Sequence, residues 1–141
     1  MLTTEDRLDI AEALALHAHV VDADQLDRID ELFTTDAVYD MTAPGMGIFE
    51  GIETIRAAAA QMSASGHAPI AHFLTNIIVT STREDEATAL SKCLMIMATG
   101  TTQGVTYDDT LRRDQGRWRI SRRVITPAGR PVVTRAEHSS V

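Results

Sequence analysis

The chain has 141 residues, 44% of them hydrophobic and 23% charged, the proportions of one ordinary globular domain. Twenty acidic against thirteen basic residues give a net charge of −7, which argues against nucleic acid or an anionic membrane as the main partner. The lone Cys93 excludes an intrachain disulfide, and no apolar run approaches the roughly 18–20 residues of a bilayer span.

In chain order, the N-terminal MLTTEDRLDI is too charged for a signal peptide, so a cytoplasmic protein is expected. Thr3 and Thr4 ahead of Glu5 and Asp6 predict a helix start, a hydroxyl cap followed by acidic residues on the positive end. Leu8, Ala11, Ala15 and Ala18, broadened by Ile10, Leu14 and Val21, carry that helix to about residue 21. Asp24 caps a second, short helix whose buried side holds Leu26, Ile29, Leu32 and Phe33, and Thr34-Thr35-Asp36 end it. Residues 37–42 are β-formers, 43–47 a glycine-rich turn, and 48–50 a short returning strand. Gly51 opens a third helix with Ile52, Ile55, Ala59 and Met62 on one stripe.

The second half is β-branched and apolar. It predicts strands over 70–82, 87–101, 105–113 and 118–126, with a polar turn at 83–86 and a hairpin turn at 114–117. Helices first and antiparallel strands after is an α+β order. The expected architecture is a cone of three N-terminal helices on a curved antiparallel sheet, with a pocket between them. Residues 1–127 form the domain and 128–141 a C-terminal tail.

Two residues draw attention as chemistry. Asp22 stands where the first helix ends, directly after Val20-Val21, as either a core-facing carboxylate or a linker residue. On the strand 70–82, alternation places His72, Leu74, Asn76 and Ile78 on one face and Phe73, Thr75, Ile77 and Val79 on the other. Both faces are mainly apolar, so this strand is expected to be buried on both sides. A buried imidazole is costly unless its nitrogens find partners. Beside a buried carboxylate it becomes a competent general base. Spacing alone leaves open whether the two residues meet.

No metal set is visible: His17 and His19 point to nearly opposite sides of a helix, and His67-x4-His72 lacks further ligands. No cofactor is expected. Cys93 in an apolar strand reads as a small hydrophobe. The cluster Arg112, Arg113, Arg117, Arg119, Arg122 and Arg123 reads as edge-strand protection or a subunit contact.

The run from His17 through Asp22 to Phe33, then Asp36-Ala-Val-Tyr39 and Phe49-Glu-Gly51, resembles the first half of a SnoaL-like (NTF2-like superfamily) domain. His72-Phe-Leu-Thr-Asn76 and the closing stretch from Arg113 through Trp118 to Arg123 resemble its second half. Within that group the chain is similar to the scytalone dehydratase and hexachlorocyclohexane dehydrochlorinase families. The resemblance implies a catalytic Asp22–His72 dyad and a cofactor-independent lyase or isomerase, of dehydratase, dehydrohalogenase or cyclase type. The substrate implied is small and apolar, polyketide-like or terpenoid. Arg123 falls where the dehydrochlorinase family keeps an arginine that assists the leaving group. Its parity, opposite to Trp118 and Ile120, also fits a solvated outer arginine. His17 stands in place of a pocket lysine, and Tyr39 matches an aromatic lining position. Met41, Leu74, Leu94 and Ile96 are the expected pocket wall. Val21 and Met97 replace a tyrosine and a histidine of scytalone dehydratase, which argues against scytalone as substrate. The alternative is a non-catalytic ligand-binding module or a structural subunit, such as the small subunit of ring-hydroxylating dioxygenases. A homo-oligomer is implied, trimer or dimer, meeting through strands 87–101 and 105–113.

Overall fold

The computed structural model describes residues 1–129; of the expected tail 128–141, residues 130–141 lie outside the described residues. Helix α1 (Thr4–Asp22) begins on a reciprocal capping box, in which Thr3 Oγ1 accepts from the Asp6 N–H and the Asp6 carboxylate accepts from the Thr3 N–H. Its buried stripe is Ile10, Leu14, His17 and Val20, so the helix is rotated from the alanine-led stripe expected from the sequence, and Leu8 faces solvent. The longer side chains win the core because they bury more apolar area than alanine does. A 3-10 helix (Leu26–Glu31) follows, and β1 (Phe33–Met41) starts earlier than expected: Thr34–Asp36 are strand, not a helix end.

After β2 (Gly47–Glu50) and α2 (Ile52–Ser65), four long strands complete the sheet: β3 (Ala71–Arg83), β4 (Glu86–Ile96), β5 (Thr102–Asp114) and β6 (Arg117–Pro127). The spatial order is β2-β1-β6-β5-β4-β3, antiparallel throughout except that β1 runs parallel to β6. The curved sheet is open, with β2 and β3 as its edges. Strand β4 stops at Ile96, and Met97–Thr101 turn back through a Met97 N–H to Thr101 carbonyl bond of 2.8 Å and Gly100 at φ 87°.

Two bulges shape the sheet. In β3 the register slips between Thr75 and Ile78, with Asn76 at φ 56°, so the inward set changes from His72 and Leu74 to Ile77 and Val79. Strand β3 is therefore not buried on both sides: Phe73 and Ile78 are 50% and 62% exposed on its outer face. In β6, Thr110 pairs with Arg122 but Leu111 with Ile120, leaving Ser121 as the extra residue. Below that bulge Trp118 and Ile120 are buried; above it, Arg123 and Ile125 are. The main core packs α1 and α2 against the sheet through Ile10, Leu14, Leu32, Phe33, Leu111 and Ile120, and a smaller cluster surrounds Cys93, Tyr107 and Ile125. None of the described helices is long and apolar enough to cross a membrane.

Candidate active site

Asp22 is the last residue of α1, and β3 lies alongside. Its carboxylate engages His72 twice: Oδ2 accepts the His72 backbone N–H at 2.9 Å, and Oδ1 lies 2.6 Å from Nδ1. One oxygen pins the strand and the other orients the ring. A proton on Nδ1 shared with the carboxylate leaves Nε2 as the basic atom. The imidazole is 8% exposed and the carboxylate 26%, so the ring is shielded while its partner reaches the protein's edge.

His72 lines a cavity of about 580 Å³ between the helices and the concave sheet face, a volume that suits a small-molecule ligand. Five of the six methionines line it: Met41, Met46, Met62, Met95 and Met97. Unbranched thioether side chains adapt to irregular apolar shapes, so this wall favours apolar ligands without dictating one outline.

A second polar group lies deeper. Arg123 and Asp109 are both fully buried and joined by a two-pronged ion pair, Nε to Oδ1 at 2.8 Å and Nη2 to Oδ2 at 3.0 Å. The guanidinium carbon sits 3.9 Å from the centre of the Tyr107 ring. Burial opposes the charge, but the Asp109 carboxylate more than offsets it and holds the arginine above its ordinary pKa. His17 packs edge-on to Phe33 and Tyr107, with ring centres 5.9 and 6.3 Å away. Burial first, then the nearby Arg123 and His72, push its pKa well below the ordinary value, so it is a neutral imidazole. Burial raises the Tyr39 and Tyr107 phenols, with Arg123 pulling each partly back. Burial likewise raises the Cys93 thiol.

The SnoaL-like domain family matches residues 2–124. The chain belongs to this family. Rv2910c of Mycobacterium tuberculosis, an uncharacterized protein, is 35% identical over 130 residues, covering 86% of this chain and 84% of that one. Among solved structures, a protein from Novosphingobium aromaticivorans assigned as an aromatic ring hydroxylase is 27% identical, with a TM-score of 0.76, covering 92% and 94% of the two chains. An NTF2-like protein with a cystatin-like fold from the same organism is 26% identical, with a TM-score of 0.74 and coverages of 94% and 88%. A third, assigned as a scytalone dehydratase, is 19% identical, with a TM-score of 0.75 and coverages of 90% and 95%, and shows the shared fold alone. The fold is thus the cystatin-like, NTF2-like one.

Within this SnoaL-like domain the predicted site residues separate. His17, Tyr39, Met41 and His72 line the cavity, with Asp22 behind His72. Leu74 does not line it; it packs between the two core clusters. Leu94 and Ile96 are corrected outright: Met95 and Met97 take the inward positions, and Leu94 is 47% exposed on the outer face. Pairing explains this, since Leu94 shares its side with exposed Phe73, and Met95 shares its side with His72. Arg123 is neither a solvated outer arginine nor a cavity residue, because the β6 bulge turns it inward and Tyr107 stands beside it. Val21 and Met97, at the two places of departure from scytalone dehydratase, both line the cavity and give it no polar group.

Tyr107 and Asp109 were not singled out from the sequence. The available signal was an acidic pair, Asp108-Asp109, in a strand that a hairpin folds against an arginine run.

Proposed function

We propose that the protein is a cofactor-independent lyase or isomerase in which His72 is the general base and Asp22 its orienting partner. The observation that supports this best is the double engagement of His72 by one carboxylate at the wall of an apolar cavity. His72 Nε2 takes a proton from a carbon next to a carbonyl or leaving group. Asp22 stabilises the imidazolium that results. The same proton is then returned to another carbon, giving isomerisation, or a group departs, giving elimination. Arg123, enclosed by Asp109 and Tyr107, acts on the reaction through the field it exerts and through Tyr107, not by touching a leaving group. A ligand carrier without turnover would have the cavity but no need for a basic nitrogen held in one tautomer.

The test is carbon–deuterium exchange in D2O, followed by NMR over a panel of small apolar ketones. The native protein exchanges an α-proton, and His72→Ala and Asp22→Asn each lower the rate by about 10²–10⁴-fold. The double variant is little slower than either single one, because the two residues act as a unit. Additive losses, or full exchange in His72→Ala, refute the dyad.

The outer face of β3 and β4 carries Phe73 paired with Leu94 and Ile78 paired with Leu90, all exposed. Such an apolar face on a soluble domain supports self-association through it. The interface proposed therefore lies on β3 and β4, nearer the sheet edge than the strands first expected.

A further inference from the structure

No lysine or arginine lines the cavity among the described residues, and the carboxylate that lines it belongs to Asp24. The one buried cation nearby, Arg123, is spent on Asp109 and on the Tyr107 ring face. Its Nη1 has no hydrogen-bond partner among the described residues, yet the residue has no exposed surface. The cavity therefore offers a ligand the neutral groups Tyr107, whose phenol also meets the Cys93 thiol, Tyr39, whose phenol also meets Arg123, and His17, while the positive charge stays behind the phenols.

This arrangement favours one class of ligand. A carboxylate or phosphate entering the cavity would lose its water and meet no cation, with Asp24 and the Asp22 carboxylate nearby. A carbonyl or hydroxyl oxygen loses far less and finds phenolic and imidazole donors. A cation against the face of a phenol makes its O–H a stronger donor, so Tyr107 gains most as negative charge grows on the oxygen it holds. Tyr107 neighbours Asp109 along β5, and Tyr107 pairs with Ile125 while Asp109 pairs with Arg123, so the bulged β6 register brings these groups together.

We infer that Tyr107 is the hydrogen-bond donor to an oxygen of an uncharged substrate, that Asp109 and Arg123 position it, and that the cavity selects neutral ketones and alcohols over carboxylates of the same skeleton. This takes the cavity as the substrate site, as the dyad reading does. When His72 takes the carbon-bound proton, the C–H electron pair forms the new C=C bond and the carbonyl pair moves onto oxygen. Tyr107 keeps its own proton and donates a hydrogen bond to that oxygen.

The probes are 2-naphthol, naphthalene and 2-naphthoate, one ring system with a hydroxyl, no polar group or a carboxylate, measured by fluorescence titration at neutral pH. The native protein is expected to bind 2-naphthol about ten-fold more tightly than either of the others, the worth of one good buried hydrogen bond. Tyr107→Phe removes most of that preference and leaves naphthalene affinity unchanged. The paired change Asp109→Leu with Arg123→Met also reduces the naphthol-to-naphthalene ratio. A purely structural loss would weaken both probes alike, so the ratio isolates the positioning role. Equal affinity for naphthol and naphthalene, tighter binding of 2-naphthoate, an unchanged ratio in Tyr107→Phe, or binding of none of the three overturns the proposal. None of these measurements needs turnover, so a failed exchange assay with naphthol preference intact rejects the dyad alone, and the reverse rejects Tyr107 alone.

Discussion

Removing the Asp109 carboxylate tests how the buried ion pair is held. Asp109 and Arg123 have no exposed surface, and two hydrogen bonds of 2.8 and 3.0 Å join them. Asp109→Ala leaves a guanidinium in the core with its counter-charge gone, and breaking a buried pair in this way costs about 3–5 kcal/mol. At about 3–4 °C per kcal/mol for a chain of this length, the melting temperature should fall by roughly 10–20 °C. The paired change Asp109→Leu with Arg123→Met removes both charges and keeps apolar volume, so it should recover most of that loss, because buried ion pairs often yield nothing net over apolar replacements. Circular-dichroism melts, with urea titrations to check that m is unchanged, read both effects. A loss under about 1 kcal/mol in Asp109→Ala would mean that the arginine finds water or another partner, against its enclosure behind Tyr107. A double variant no more stable than Asp109→Ala would show that the pair itself contributes net stability.

His17 is kept neutral by burial while the unfolded chain protonates it near pH 6.5, so stability should fall as pH drops from 7 to 5, by at most about 1.4 kcal/mol per pH unit. His17→Gln should flatten that slope in urea titrations. Asp6 accepts from the Thr3 N–H at 2.9 Å, Arg113 at 2.6 Å and Trp118 at 3.2 Å, which hold its carboxyl well below the usual range. Its contribution is complete above about pH 4 and is lost as pH falls further, so Asp6→Asn should lower stability at pH 7 and weaken the acid dependence below pH 4. Phe73→Asp on the exposed apolar face should shift the protein toward monomer in light scattering at tens of micromolar, an order-of-magnitude range for weak association; a native protein already monomeric there would reject that interface.

Much of this molecule was determined by its sequence alone. The α+β order, the six strands and the starts of the two α-helices follow from periodicity, caps and turns, which act over a few residues. Asp22 and His72 were legible as candidates because a carboxylate at a helix end and a histidine in an apolar strand each violate local expectation. Their contact, 50 residues apart in sequence, was not legible from spacing. The errors at Arg123 and along the second half of β3 have one physical source. Simple alternation assigns a side to every strand residue, and a single extra residue reverses it.

The hairpin at Gln115-Gly116 pairs Asp114 with Arg117, and uninterrupted counting from there would set Asp109 opposite Arg122 on the buried face and turn Arg123 outward. The bulge at Ser121 sets it opposite Arg123, buried beside Tyr107. Likewise the slip at Asn76 turns Ile77 and Val79 inward and leaves Ile78 exposed. A bulge is chosen by how a curved sheet fits the helices packed on it, an energy shared among residues far apart in the chain. Which arginine enters the core, and which phenol stands before it, was therefore decided by tertiary packing.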